Sequence, residues 1–162
     1  MKLKAGELKE TEVRIIRWMA ANGIGLLRIS MGIIFLWFGA LKFFEGMSPA
    51  ENLAIRTIEV ITFHLISSKT ILYTLAVWEV IIGVGLLLNI YLRITLVLLF
   101  LQMLGTFTPL FFFPEETFEV FPYALTLEGQ YIVKNIIVIS GGIILGATLR
   151  GGKLTSSKTQ QE

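Results

Sequence analysis

The sequence predicts an all-α integral membrane protein, a four-transmembrane-helix bundle with an amphipathic outer helix between the first and second spans. Three observations predict it. Hydrophobic residues make up 54% of the 162-residue chain, and its mean hydropathy is +0.74, outside the usual range of a soluble domain. Four apolar stretches, at 24–44, 71–92, 94–113 and 131–149, are each about 20 residues long, enough at ~1.5 Å per residue to cross a bilayer core of ~30 Å. The cations cluster in some of the connecting segments and are missing from others, the asymmetry that orients a membrane protein. These features define one membrane domain over 1–162: a basic interfacial segment at 1–23, the bundle at 24–149 and a polar, disordered tail at 150–162.

Lys2, Lys4, Lys9, Arg14 and Arg17 stand beside Val13, Ile15, Ile16, Trp18 and Met19 in the first segment. Thr11 is placed to cap a short basic helix lying in the interface, with Asn22 and Gly23 as its stop. The first span follows at once. Its Gly25, Gly32 and Gly39 recur every seven residues, which predicts a face where another helix approaches closely. Ser48, Pro49, Ala50 and Glu51 then carry the pattern of a capping box with proline at the first helical position, and predict a helix over 49–66. In that helix Asn52, Arg56 and Glu59 lie against Leu53, Ile55, Ile58, Ile61 and Leu65, which suits a helix lying on the membrane or covering the bundle. His64 near its end reads as an ordinary interfacial residue.

The second and third spans are joined by a tight connection at 89–93. Thr108 and Pro109 near the end of the third predict a kink, because proline removes a backbone donor. The loop beyond is acidic and aromatic, with Glu115, Glu116, Glu119 and Glu128 and no Lys or Arg. In the fourth span Gly142 and Gly146 form a GxxxG pattern associated with close helix packing. Basic residues near both ends and at Arg93, against the Glu-rich loop, predict that both termini face the cytoplasm.

Glu79 is the only formal charge in 71–92, and a carboxylate inside a membrane span is costly enough to face the protein interior and find a partner. Side chains lean toward the amino terminus of their own helix. Glu79 on a descending helix and Lys42 near the top of an ascending one therefore lean toward each other. The pair reads in two ways: a buried salt bridge fixing register, or one wall of an outward-opening pocket bounded by Trp37, Trp78 and Gln102. Lys134 also lies near the outer end but leans outward. Arg28 leans toward the inner surface, where snorkelling to headgroups is its default role, and Asn135 completes the structural polar set.

The formal charge of +2 is small and dispersed, and no nucleic-acid partner is expected. Without cysteine there is no disulfide exchange, thiolate ligand or cysteine nucleophile, and with His64 alone there is no bis-histidine haem. No metal site is expected. The first apolar stretch lacks the pattern of a cleavable signal.

The run from Arg28 through Gly32, Phe35, Trp37 and Gly39 to Lys42 resembles the first helix of the DoxX-like membrane proteins, especially their YkgB-type branch. Val77, Trp78, Glu79 and Gly83 match next, then Phe113, Pro114 and Glu115, then Phe121, Pro122 and Tyr123 with Gly129, Tyr131 and Lys134. The chain differs at Gln130 and Asn135, where relatives often carry Arg and Asp. The resemblance implies a four-helix bundle in the inner, cytoplasmic membrane, with Arg28, Lys42, Glu79 and Lys134 as the family's polar positions. It further implies a link to quinone-coupled oxidation, as a membrane subunit of a quinone-linked oxidoreductase and not a catalyst alone, or to resistance against reactive chlorine. Quinone is then the expected cofactor, with Lys42, Glu79, Gln102, Lys134, Trp37 and Trp78 as candidate ligand-binding residues. Beyond the lipid bilayer, the expected partners are an oxidoreductase, another membrane subunit or a second copy of the chain. Two other functions stay open: a small proton or anion transporter, and an assembly subunit for another membrane protein.

Overall fold

The computed structural model describes residues 5–152 and Leu154. Lys2, Lys4 and most of the 150–162 tail lie outside the described residues. Four helices are long and apolar enough to cross a membrane, at Lys9–Leu41, Ser68–Leu88, Leu92–Phe112 and Leu127–Ala147. Ile33, Val77, Ile81, Val97 and Ile137 are exposed on them, as expected of helices whose solvent is hydrocarbon. The chain is an all-α membrane bundle.

The first helix, α1 (Ala5–Leu41), is a single unit of 37 residues, about 55 Å long at ~1.5 Å per residue. The expected stop at Asn22 and Gly23 does not occur, and Thr11 lies inside the helix and not at its cap. Asn22 Nδ2 donates to the Trp18 carbonyl at 2.8 Å, so this side chain bonds within the helix. A glycine in a helix interior costs only about 1 kcal/mol, which the apolar turns that follow readily offset. The basic segment is therefore a continuation of the first span, and residues 9–23 are exposed on every side.

The expected capping box also fails. Ala50, in a left-handed conformation (φ 54), is the N-cap of α2 (Glu51–Ile61), and Glu51 turns back to accept the Gly46 N–H at 3.2 Å. At the other end Phe63 and His64 both have positive φ, so the helix predicted over 49–66 shortens to eleven residues.

Ser67 caps α3 (Ser68–Leu88), accepting from Thr70 N–H, and left-handed Asn89 closes it onto the Gly85 carbonyl. The chain reverses into α4 (Leu92–Phe107), which Pro109 separates from a short continuation, α5 (Pro109–Phe112). What reads as an acidic loop is folded: α6 (Pro114–Thr117) leads into an antiparallel pair, β1 (Phe118–Val120) and β2 (Ala124–Leu125), with Phe118 opposite Leu125. Thr126 then starts α7 (Leu127–Ala147) four residues earlier than predicted. Its hydroxyl accepts from Gly129 N–H at 3.1 Å and donates to the Glu116 carbonyl at 2.7 Å, tying the cap to α6.

Helices α1 and α3 form the most extensive contact in the molecule, and glycine makes it possible. A Cβ added at Gly83 would lie 2.4 Å from Leu36 N; one at Gly39 would lie 2.9 Å from Glu79 Cβ; one at Gly32 would lie 2.8 Å from Leu87 Cγ. Gly25 is a correction: nothing lies within 4 Å of its added Cβ, so this position does not carry the close approach that Gly32 and Gly39 make. The GxxxG face packs inside the chain, with Gly142 against the Phe100 ring and Gly146 against Leu96.

Successive spans run antiparallel. The described ends of the chain therefore share one side with the turn at 89–91, and α2 with the 113–126 segment forms the other. Met31, Phe35, Ile82, Leu86, Leu99 and Leu145 belong to the main apolar core, and a smaller cluster of Leu53, Phe113 and Ile132 lies under α2.

Candidate ligand-binding site

The site depends on how closely Glu79 can approach α1. Because Gly39 has no side chain, the Glu79 Cβ sits against α1, within reach of Lys42 just past the helix end. Lys42 Nζ lies 2.6 Å from Glu79 Oε2, and both side chains are 11% exposed. From α4, Gln102 Nε2 donates to Glu79 Oε1 at 2.9 Å. Both carboxylate oxygens are thus satisfied, by a cation from one helix and an amide from another. A buried charge left unpaired would be severely destabilising, and this arrangement avoids that cost. The neighbouring Trp78 donates from Nε1 to the Leu98 carbonyl at 3.1 Å, which fixes α3 against α4 at the same level.

These groups border a cavity of about 480 Å³ between α1, α3, α4 and α7, roofed by α2. Phe35, Phe38, Leu53, Met103 and Ile132 supply apolar wall, and Asn135 contributes from α7. Lys42 uses one N–H on Glu79 and has two more; the Gln102 side-chain oxygen Oε1 and the Asn135 side-chain amide have no bond to another described residue. The cavity therefore offers a few donors and acceptors in a mostly apolar lining whose formal charge is zero. Its Thr57 and Thr106 hydroxyls are spent on the carbonyls of Leu53 and Gln102 in their own helices. Neither is held by a base, and the walls can bind and orient a molecule.

The structure brings Lys42, Glu79, Gln102, Trp78 and Asn135 to this cavity and leaves two predicted residues outside it. Trp37 is 66% exposed on the outer face of α1. Lys134 is exposed, with Nζ 5.5 Å from the Tyr131 ring centre. Arg28 is a correction to the snorkelling expectation: its guanidinium donates to the Leu86 carbonyl and, at 3.0 Å, to that of Leu87. It closes the carboxy-terminal turn of α3, where free carbonyls and the helix dipole favour a cation.

The roof is the part sequence reasoning missed. Arg56 on α2 pairs with Glu116 on α6 and lies 4.7 Å from the Phe113 ring centre. Ser68 donates to Glu59 at 2.6 Å, and Lys69 pairs with Glu45 at 3.3 Å. The amphipathic pattern of 49–66 marks a surface helix, but nothing in it names α6 as the partner.

No curated protein and no solved structure matches the chain. The DoxX family model matches residues 23–113, more than half of the sequence, including Lys42, Glu79 and Gln102 with the glycines of the α1–α3 contact. The chain therefore belongs to the DoxX family.

Proposed function

We infer that this protein binds a neutral, apolar molecule of quinone type in the cavity under α2, as a non-catalytic or partner-dependent subunit in redox metabolism or oxidant defence. The observation that carries the reading is the net-neutral centre of Lys42, Glu79 and Gln102 in the wall of a mostly apolar chamber. A charged ligand would enter a low-dielectric space whose only cation and anion already neutralise each other. A carbonyl or hydroxyl compound, by contrast, finds the remaining Lys42 protons, the Gln102 oxygen and the Asn135 amide, the sparse polar groups typical of small-molecule sites. The same neutrality disfavours anion transport. The motifs around Trp37, Glu79 and Tyr123 support assignment to the YkgB-type branch. Arg14, Arg17 and Arg93 at one end and Glu115, Glu116 and Glu119 at the other support a cytoplasmic-membrane location with both termini inside.

The test is what the purified protein carries. Solvent extraction followed by mass spectrometry should give a stoichiometric quinone from the wild type and none from the double variant Lys42→Met, Glu79→Gln, which leaves no unpaired buried charge. Wild-type protein that carries no quinone and binds no added benzoquinone overturns the reading.

A further inference from the structure

A second hollow, of about 500 Å³, lies on the outer surface of α3 and α4. It is lined by Thr70, Tyr73, Val77, Ile81 and Leu98, with Thr74 and Trp78. Tyr73, Val77 and Ile81 are 46%, 47% and 51% exposed on a span that faces lipid, so this groove opens to the bilayer. Thr74 and Trp78 also line the inner cavity. One side-chain layer thus separates lipid from the Lys42, Glu79 and Gln102 centre, and its main member is an indole held at its edge by one hydrogen bond to the Leu98 carbonyl.

We propose that the inner cavity loads sideways from the bilayer between α3 and α4, with Trp78 as the gate. Its ligand is then an amphiphile whose polar ring lies at Lys42, Glu79 and Gln102 while its apolar tail lies in the groove along Val77 and Ile81. This rests on the reading of the cavity as a quinone-type site and adds a route and a second half to the ligand. Three features support it. The groove and the cavity share two wall residues, Thr74 and Trp78. The alternative, outer way in is roofed by α2, which is held by Arg56 to Glu116 and by Ser68 to Glu59. An apolar ligand also concentrates in lipid, so the path from the membrane is the one it meets at highest concentration.

The experiment compares two probes, a decyl-substituted benzoquinone and the same ring without its tail, by equilibrium binding to the full chain in nanodiscs of one lipid composition. Partition of the tail into lipid is then common to all variants. The wild type should prefer the tailed probe, and Val77→Trp, which fills the groove, should reduce that preference by about tenfold. Val84→Trp, on the same helix but outside the groove, should keep it. In stopped-flow measurements Trp78→Phe, which deletes the hydrogen bond to Leu98, should speed both association and dissociation of the tailed probe several-fold. An equal preference in wild type and Val77→Trp, with ring binding intact, overturns the lateral route and leaves the cavity reading standing. Unchanged rates in Trp78→Phe remove Trp78 as the gate. Failure of the wild type to bind either probe overturns both readings.

Discussion

The two sides of the cavity are built on different terms. On one side α1 and α3 meet through glycines so closely that a single added carbon at Gly83 would overlap the backbone of α1. On the other, α2 rests over the opening through half-exposed contacts: an Arg56 to Glu116 pair whose side chains are 52% and 35% exposed, and a cation over the Phe113 ring. Backbone-to-backbone packing has no flexible end that can give way, whereas exposed ion pairs contribute little and are screened. The comparison teaches that the wall carrying Glu79 is fixed by backbone packing, whereas α2 covers the outer side through contacts that break at smaller cost.

The largest effect expected is at the charged centre of the fixed wall. Glu79→Gln leaves Lys42 without its counter-charge, and Lys42→Met does the same to Glu79. Each should lower stability in detergent by about 3–5 kcal/mol, with much of the loss recovered in the double variant. Thermal unfolding of the four proteins measures the coupling. Additive losses would mean that the 2.6 Å contact contributes nothing specific.

Next in size are the glycines. Gly83→Ala should destabilise by about 3 kcal/mol, at the upper end for overpacking, because its new carbon meets Leu36 N and Cα and not a movable side-chain tip. Gly32→Leu should cost roughly 1–3 kcal/mol. Gly25→Ala, with open space around it, should be neutral or stabilising by up to about 1 kcal/mol from helix propensity. A uniform response at the three positions would show that the seam is not where the close approach lies.

Much of this was legible in the sequence, and the rest was not for identifiable reasons. Length and hydropathy suffice for the four spans, and the lean of side chains along antiparallel helices brings Lys42 and Glu79 together without further information. The misplacement of Trp37 was avoidable: at ~100° per residue it stands ~140° round α1 from Gly32, on the opposite face from the helix contact. The same count puts Arg28 within ~40° of Gly32 and so facing α3, but its acceptors depend on α3 ending at Leu88, a boundary only Asn89 hints at. The continuity of α1 through Asn22 and Gly23 was not legible, because the same dipeptide serves as a helix stop or as a tolerated interior pair. The roof was hidden for a different reason, since the pairing of Arg56 with Glu116 joins residues 60 apart through a segment that reads as loop.

Arg28→Met sharpens the comparison from the inner end. Loss of the guanidinium leaves the Leu86 and Leu87 carbonyls without that donor in a partly buried setting, at a cost of about 1–3 kcal/mol. Hydrogen exchange should show the loosening confined to the last turn of α3 and the 89–91 turn, with the amides around Glu79 still protected. Loss of protection along the whole of α3 would mean that the α1–α3 seam depends on its end cap and not on its glycines.

The smallest effect on stability is expected at the roof, and there the consequence should be kinetic. Arg56→Met removes the ion pair to Glu116 and the cation over Phe113 while keeping an apolar stem against the ring. Since the pair is half-exposed, the loss in thermal stability should stay below about 1 kcal/mol. Opening of α2 should nonetheless become more frequent, because these contacts join it to α6 while Leu53 alone among its apolar side chains is fully buried beneath it. Hydrogen exchange at 51–61 should therefore rise several-fold in Arg56→Met while exchange at 71–88 stays at the wild-type level. If both regions loosen together, roof and wall are one cooperative unit, and the contrast between a fixed side and a movable side of the cavity is wrong. If neither changes, the apolar contacts of Leu53 hold α2 down without help, and entry from the bilayer is left as the only route to the site.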